Sequence, residues 1–107
     1  MASFRASAAI KAALPGVPPP AVLEAATSGV AAVQHVEDSF VDVQPVRSGR
    51  FPRVTVRFVV PVTHDALEDA VAIAAGLAMV EAVGTVAQWQ DLRVYRRVRG
   101  RWVELER

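Results

Sequence analysis

Two histidines are the first residues to question for catalysis or metal binding. His35 stands beside Glu37 and Asp38, three potential donors within four residues. A transition-metal site needs three or four ligands converging from more than one segment. No further donor is marked elsewhere, so this cluster reads as a solvated turn between a helix and a strand. His64 precedes Asp65, and a carboxylate-oriented imidazole is a general-base arrangement. Adjacent side chains diverge, however, and no nucleophile is indicated, so helix capping is the better account. The chain has no cysteine, which excludes disulfides, zinc–thiolate sites and thiol nucleophiles. Its six glycines are scattered and form neither GxGxxG nor GxxxxGK[ST]. The expectation is a protein that is not an enzyme, with no metal and no cofactor.

Arginine and aromatic residues offer the other chemistry. Arg47, Arg50, Arg53 and Arg57 form one acid-free run, and Arg93, Arg96, Arg97, Arg99 and Arg101 form a second. Strand alternation predicts that Arg53, Arg57, Arg93, Trp89, Tyr95, Arg97 and Trp102 share one sheet face. Aromatics with arginine on an open sheet can stack bases and hold phosphates. That makes Arg53, Arg57, Arg93, Arg97, Arg99 and Arg101 candidate contacts to RNA or single-stranded DNA. Glu104 and Glu106 fall on the same side, and Asp38, Asp42 and Asp91 lower the field further. A formal charge of +1 supplies no global attraction for nucleic acid or membrane. The same composition marks protein interfaces, where Trp, Tyr and Arg carry much of the binding. Trp89, Tyr95 and Trp102 are therefore candidate protein contacts.

The elements that would position these residues begin with a helix from Asp65 to Val83. Ala70 to Val80 (AVAIAAGLAMV) is eleven successive residues without a charge or a side-chain hydrogen-bonding group. A helix on one sheet needs only an apolar stripe; one that is apolar all round must be covered on more than one side. Ala70, Ala74, Ala78 and Ala82, with Leu67 and Val71, form a small-residue side. Ile73, Leu77 and Val80 form a bulkier one. One side is expected on the chain's own sheet and the other on the first helix or a neighbouring subunit, which makes Ile73, Leu77 and Val80 candidate interface residues. Asp65 and Glu68 have the spacing of a capping box, and Gly84 is suited to end the helix. Glu81 is assigned an ion pair with an arginine of a neighbour.

Arg53 to Val60 is the clearest strand: Val54, Val56, Phe58 and Val60 alternate with Arg53, Thr55 and Arg57. Phe40–Val43 reads as a short strand, with a turn at Val46–Arg50. Val86–Val98 and Arg101–Glu106 form a hairpin; a two-residue Arg99-Gly100 turn sets Arg97 opposite Trp102 and Tyr95 opposite Glu104. Pro20 suits the first turn of a helix running to about Val33. Residues 1–20 read as an arm and proline-rich linker that could dock elsewhere, and residues 21–107 as one domain. The fold expected is α+β: a two-layer sandwich in α-β-β-α-β-β order, with a four-stranded, mainly antiparallel sheet and two helices on one face. In order alone this resembles small ring-forming subunits such as those of phage tails, and equally many other small sandwich domains.

Composition agrees with an assembly role. Hydrophobic residues make up 52% of the chain, above the usual share of roughly 45–50%, and the excess is Ala and Val, which allow close backbone approach. No apolar run reaches the roughly 18–20 residues of a membrane span. The first 23 residues, rich in Ser and Ala with Arg5, Lys11 and no acid, resemble an export or transit segment. Lys11 divides the apolar stretch and no cleavage site follows, so cytoplasmic residence is expected. The expected partners are copies of the chain or a larger protein assembly, with nucleic acid as the alternative and no membrane.

Overall fold

A computed structural model describes residues 1–42 and 51–106. The elements in chain order are β1 (Ala2–Ala13), α1 (Pro20–Ala31), β2 (His35–Asp42), β3 (Arg53–Val60), α2 (Asp65–Val83), β4 (Ala87–Val98) and β5 (Arg101–Glu104). They form an α+β domain with a five-stranded antiparallel sheet in the order β2-β3-β1-β4-β5. Helix α1 lies over β2 and β3, α2 lies over β4 and β1, and the two helices pack on each other. β1-α1-β2 and β3-α2-β4 each join two strands that have a third between them. This is the split β-α-β arrangement of ferredoxin-like folds, extended by β5.

Two expectations need correction. The sheet has five strands rather than four, and the order is β-α-β-β-α-β-β. The segment expected to be an arm is the middle strand: Ala2–Ala13 pairs with β3 on one side and β4 on the other. Phe4, Ala6, Ala8 and Ile10 point to the helices and are buried, while Arg5 and Ser7 point away. That is a period of two, masked because alanine has low strand propensity and because Ser, Ala and a basic residue also suit a leader. The seventh element also removes the ground for a resemblance drawn from order alone. The turn expected at Val46–Arg50 lies outside the described residues.

β2 begins at His35 rather than Phe40, so the His35, Glu37 and Asp38 cluster expected to be a turn belongs to the strand. The other elements form close to where expected. β3 spans Arg53–Val60 with Val54, Val56, Phe58 and Val60 in the core. α2 spans Asp65–Val83, and α1 starts at Pro20, whose missing N–H costs nothing in a first turn. Tyr95 faces Glu104 and Arg97 faces Trp102, because Arg99 (φ 49°) and Gly100 (φ 80°) close the hairpin in left-handed conformations.

Close approach of small residues holds the layers together. A Cβ on Gly29 would stand 2.9 Å from the Ala78 carbonyl oxygen and from Ala82 Cβ, so α1 touches the backbone of α2. A Cβ on Gly76 would stand 2.8 Å from Val94 Cγ2, where α2 presses on β4. The start of α2 is tied to β4 by charge. Arg96 bonds Asp65 (3.2 Å), Glu68 (2.6 Å) and Asp69 (2.8 Å), and its guanidinium lies 5.3 Å from the Phe4 ring centre. The cap falls one residue earlier than the Asp65–Glu68 spacing suggests. His64 Nδ1 accepts from the Leu67 N–H, and buried Glu68 reaches back to accept from the Thr63 N–H at 2.7 Å.

Adding a methyl at Gly29 is expected to destabilise the fold. Backbone overlap in a packed interior costs about 1–3 kcal/mol, against a helix-propensity gain of about 1 kcal/mol. Thermal unfolding of Gly29→Ala should show a lower Tm; an unchanged or raised Tm would mean that the helices separate without cost. Glu68 yields a prediction for pH. The Thr63 N–H and Arg96 hold its carboxyl below the usual value, outweighing burial. Its contribution is complete above the unfolded-state pKa of about 4.3 and is lost as pH falls through the lower folded value. Glu68→Gln should lower Tm at pH 7, and the gap to the parent protein should close under acid. A gap of constant size across pH would refute this linkage.

Candidate functional site

The sheet face away from the helices collects the arginines and aromatics. Register places Arg5 between Arg57 of β3 and Tyr95 of β4, with Phe40 opposite Thr55 at the β2 edge and Trp102 opposite Arg97 at the β5 edge. Trp102 extends back across the face. The Arg5 guanidinium carbon lies 4.3 Å from the Trp102 ring centre and 5.6 Å from that of Phe40. Arg97 and Arg57 approach the same indole at 4.9 and 5.4 Å. Three guanidiniums thus gather around one ring, a geometry in which each cation gains from the ring quadrupole.

Their charges are unevenly matched. Arg57 Nε stands 3.3 Å from Glu37 Oε1. Arg5 Nε and Arg57 Nε are both buried without a hydrogen-bond partner among the described residues, and Arg5 has no ion pair among them either. Burial lowers the Arg5 pKa, neighbouring Arg57 and Arg97 lower it further, and Asp38 and Asp42 act in the opposite direction. An arginine still keeps its proton at neutral pH, so a cation sits there against repulsion.

A bulge in β4 decides which residues join this face. Asp91 is left-handed (φ 59°), and the β1–β4 register shifts between Ser7 and Ala9. Ser7 pairs with Arg93 and Ala9 with Gln90, so Asp91 is the extra residue. Arg53 fills the gap. Its Nε donates to Ser7 Oγ (2.7 Å), one Nη to Asp91 Oδ2 (3.0 Å), and the other to the carbonyls of Ser7 (3.1 Å) and Asp91 (2.7 Å). A fork of five donors meets backbone oxygens that the bulge takes out of the ladder. Asp91 also pairs with Arg93 at 3.0 Å.

The residues singled out by alternation therefore divide. Arg57, Arg97, Tyr95 and Trp102 share the open face. Arg53 and Arg93 are bound to Asp91 there, and Arg99 and Arg101 stand exposed at the hairpin. Trp89 does not belong with them: the inserted Asp91 reverses the alternation, and Trp89 pairs with Ile10 and packs on the core near Gly84. Thr55, expected to face water, is covered by its neighbours. Arg47 and Arg50 lie outside the described residues. Sequence reasoning missed Arg5 and Phe40, and the alternation in residues 4–10 was the signal that could have placed Arg5.

On α2 the three residues proposed as an interface also divide. Val80 is 5% exposed and belongs to the core, and Ile73 packs partly against it. Leu77 is 52% exposed. The small-residue side is likewise split: Ala78 and Ala82 meet α1 at Gly29, while Ala66, Ala70 and Ala74 are exposed together with Leu67 and Leu77. The sheet is contacted by a third sector, with Ala72, Ala75, Gly76, Met79 and Val83 buried. Glu81 is exposed at the last turn.

His35 is exposed at the start of β2, and His64 caps α2 through Nδ1. Among the described residues no three His, Asp or Glu side chains come together in a way that could hold a metal ion. No helix among them is long and apolar enough to cross a membrane. Comparison with protein-family models and with curated proteins finds no match to this chain.

Replacing Arg53 by alanine leaves the Ser7 and Asp91 carbonyls without their donor. Hydrogen bonds from charged groups contribute about 1.5–3 kcal/mol each, part of which returns as solvent replaces them, so Arg53→Ala should cost about 2 kcal/mol in urea unfolding. Arg53→Lys should recover little of this, because a point charge lacks the fork. Full recovery by lysine would show that charge, rather than the fork, supports the bulge.

Proposed function

We propose that the chain is a non-enzymatic assembly subunit, which self-associates or docks on a protein partner as a structural component of a larger complex. The observation that carries this reading is the outward face of α2. Ala66, Leu67, Ala70, Ala74 and Leu77 all face solvent, with Leu67 at 45% and Leu77 at 52% exposure, and no charged side chain interrupts the helix between Ala70 and Val80. Helices on protein surfaces ordinarily place charged residues on this side. A contiguous apolar stripe rimmed by carboxylates, here Asp65 and Glu81, is the usual form of a contact surface. Val103 adds to the apolar surface: it points to the helix side of β5, which α1 and α2 do not cover, and stays exposed.

Nucleic acid is the second reading. Arg97, Arg99 and Arg101 are exposed on the β4–β5 hairpin, with Arg57 on the adjoining face. It is the weaker one because Arg53 and Arg93 are engaged by Asp91 and Trp89 lies on the other side of the sheet.

Light scattering should find a dimer or larger species at micromolar concentration, or a stable complex with a co-purified protein. Leu77→Glu should yield a smaller species with an unchanged circular dichroism spectrum, since Leu77 is half out of the fold already. A monomer that captures nothing would sink the proposal. The nucleic-acid reading calls instead for retention on heparin that falls steeply with salt.

A further inference from the structure

We infer that Arg5, Arg57 and Arg97 form an oxyanion site around Trp102, and that it receives the carboxylates of an acidic segment from a protein partner. The geometry of stacking supports it. A guanidinium laid against an aromatic ring uses its flat face and leaves its N–H donors directed outward in the plane, where a carboxylate accepts two at once. Arg5 lies against both Trp102 and Phe40, and its buried Nε has no acceptor among the described residues, so an incoming carboxylate would meet its terminal Nη groups. Arg57 and Arg97 stand around the same ring, and Glu37 is the one carboxylate among the described residues within ion-pair distance of the three guanidiniums. Such a cluster is pre-formed for an anion, because ring contacts have already restricted side chains that would otherwise lose freedom on binding.

Three features favour peptide carboxylates over a nucleic-acid strand. The Trp102 ring is already engaged by guanidiniums, which removes the stacking platform a base would need. Asp91 takes up Arg53 and Arg93, interrupting the basic track that successive phosphates would follow. Glu37 and Asp38 border the cluster beside Arg57. A phosphate strand carries a charge at every residue past them, whereas a peptide can present carboxylates singly. The site faces away from α2, so it goes beyond the assembly reading and does not depend on it.

Fluorescence anisotropy with a labelled oligoglutamate peptide tests the assignment, with an oligoglutamine of equal length and an oligothymidylate of equal charge as competitors. Oligoglutamate should bind in a salt-sensitive manner and oligothymidylate should compete poorly. Arg5→Gln should weaken binding by about tenfold or more, the worth of one charge-assisted pair. Arg5→Lys should restore only part of it. Arg97→Gln, at an exposed position, should weaken binding with the fold intact by circular dichroism. Leu77→Glu should leave the affinity unchanged, so that this site and the α2 surface succeed or fail separately. Equal binding of oligoglutamate and oligoglutamine, tighter binding of oligothymidylate, or unchanged affinity in both the Arg5→Gln and Arg97→Gln variants would each overturn the proposal.

Discussion

The distance between α2 and its neighbours sets the terms for the rest of the domain. Where Gly29 meets the Ala78 carbonyl and Gly76 meets Val94, a single methyl has no room. Layers this close can be filled only by short side chains, and the residues between them comply: Ala6 and Ala8 on β1, Ala72 and Ala75 on α2, Ala26 on α1. The largest fully buried side chains are the Phe4 and Phe58 rings, stacked 6.0 Å apart near the start of β1, and Met79 of α2. A core built from small residues gains less from burial per residue than one of Leu and Ile, and makes up part of the difference through dense contact. It also ties composition to geometry: the excess of alanine is what allows α2 to rest on α1 and the sheet together.

The same requirement explains what could be read from the residues and what could not. Val54, Val56, Phe58 and Val60 announce β3 because β-branched and aromatic side chains alternate with polar ones. Residues 2–13 follow the same period, but with alanine at the inward positions, and alanine signals helix or linker when tertiary context is unseen. The middle strand of the sheet thus reads as an arm, because the close packing above it demands residues that look unlike a strand. α2 was legible to both ends. Its sectors were not, since in a helix of Ala, Val, Ile and Leu nothing distinguishes the sheet side from the outer side. Val80 consequently passed for surface and proved to be core.

A second device, the bulge at Asp91, controls the opposite face. One inserted residue turns Trp89 toward the helices while leaving Arg93, Tyr95 and Arg97 outward. Alternation cannot foresee this, because Asp91 reads as an ordinary polar strand position and its partner, Arg53, lies thirty-eight positions away in sequence. Once the bulge is in place Arg53 has a structural task, closing the gap with four hydrogen bonds. The consequence for recognition is direct. Of the basic residues expected to share one function, Arg53 and Arg93 are bound to Asp91, Arg57 and Arg97 gather with Arg5 around Trp102, and Arg99 and Arg101 stand at the hairpin.

β1 connects the two sides. Its inward alanines admit α2, and its outward Arg5 stands at the middle of the arginine–tryptophan cluster, with β3 and β4 supplying Arg57 and Arg97 on either side. That one strand therefore carries both the residues that permit the close core and the cation at the centre of the cluster. A central strand is also the most rigid place in a sheet, paired on both edges and buried on one face. Arg5 is thus fixed at its base by β1 and along its length by two aromatic rings, whereas Arg99 and Arg101 project from a hairpin tip. Compared with Arg99 and Arg101, the cations near Trp102 lose less further freedom on meeting an anion, and the position of Arg5 at the centre of the sheet is the reason.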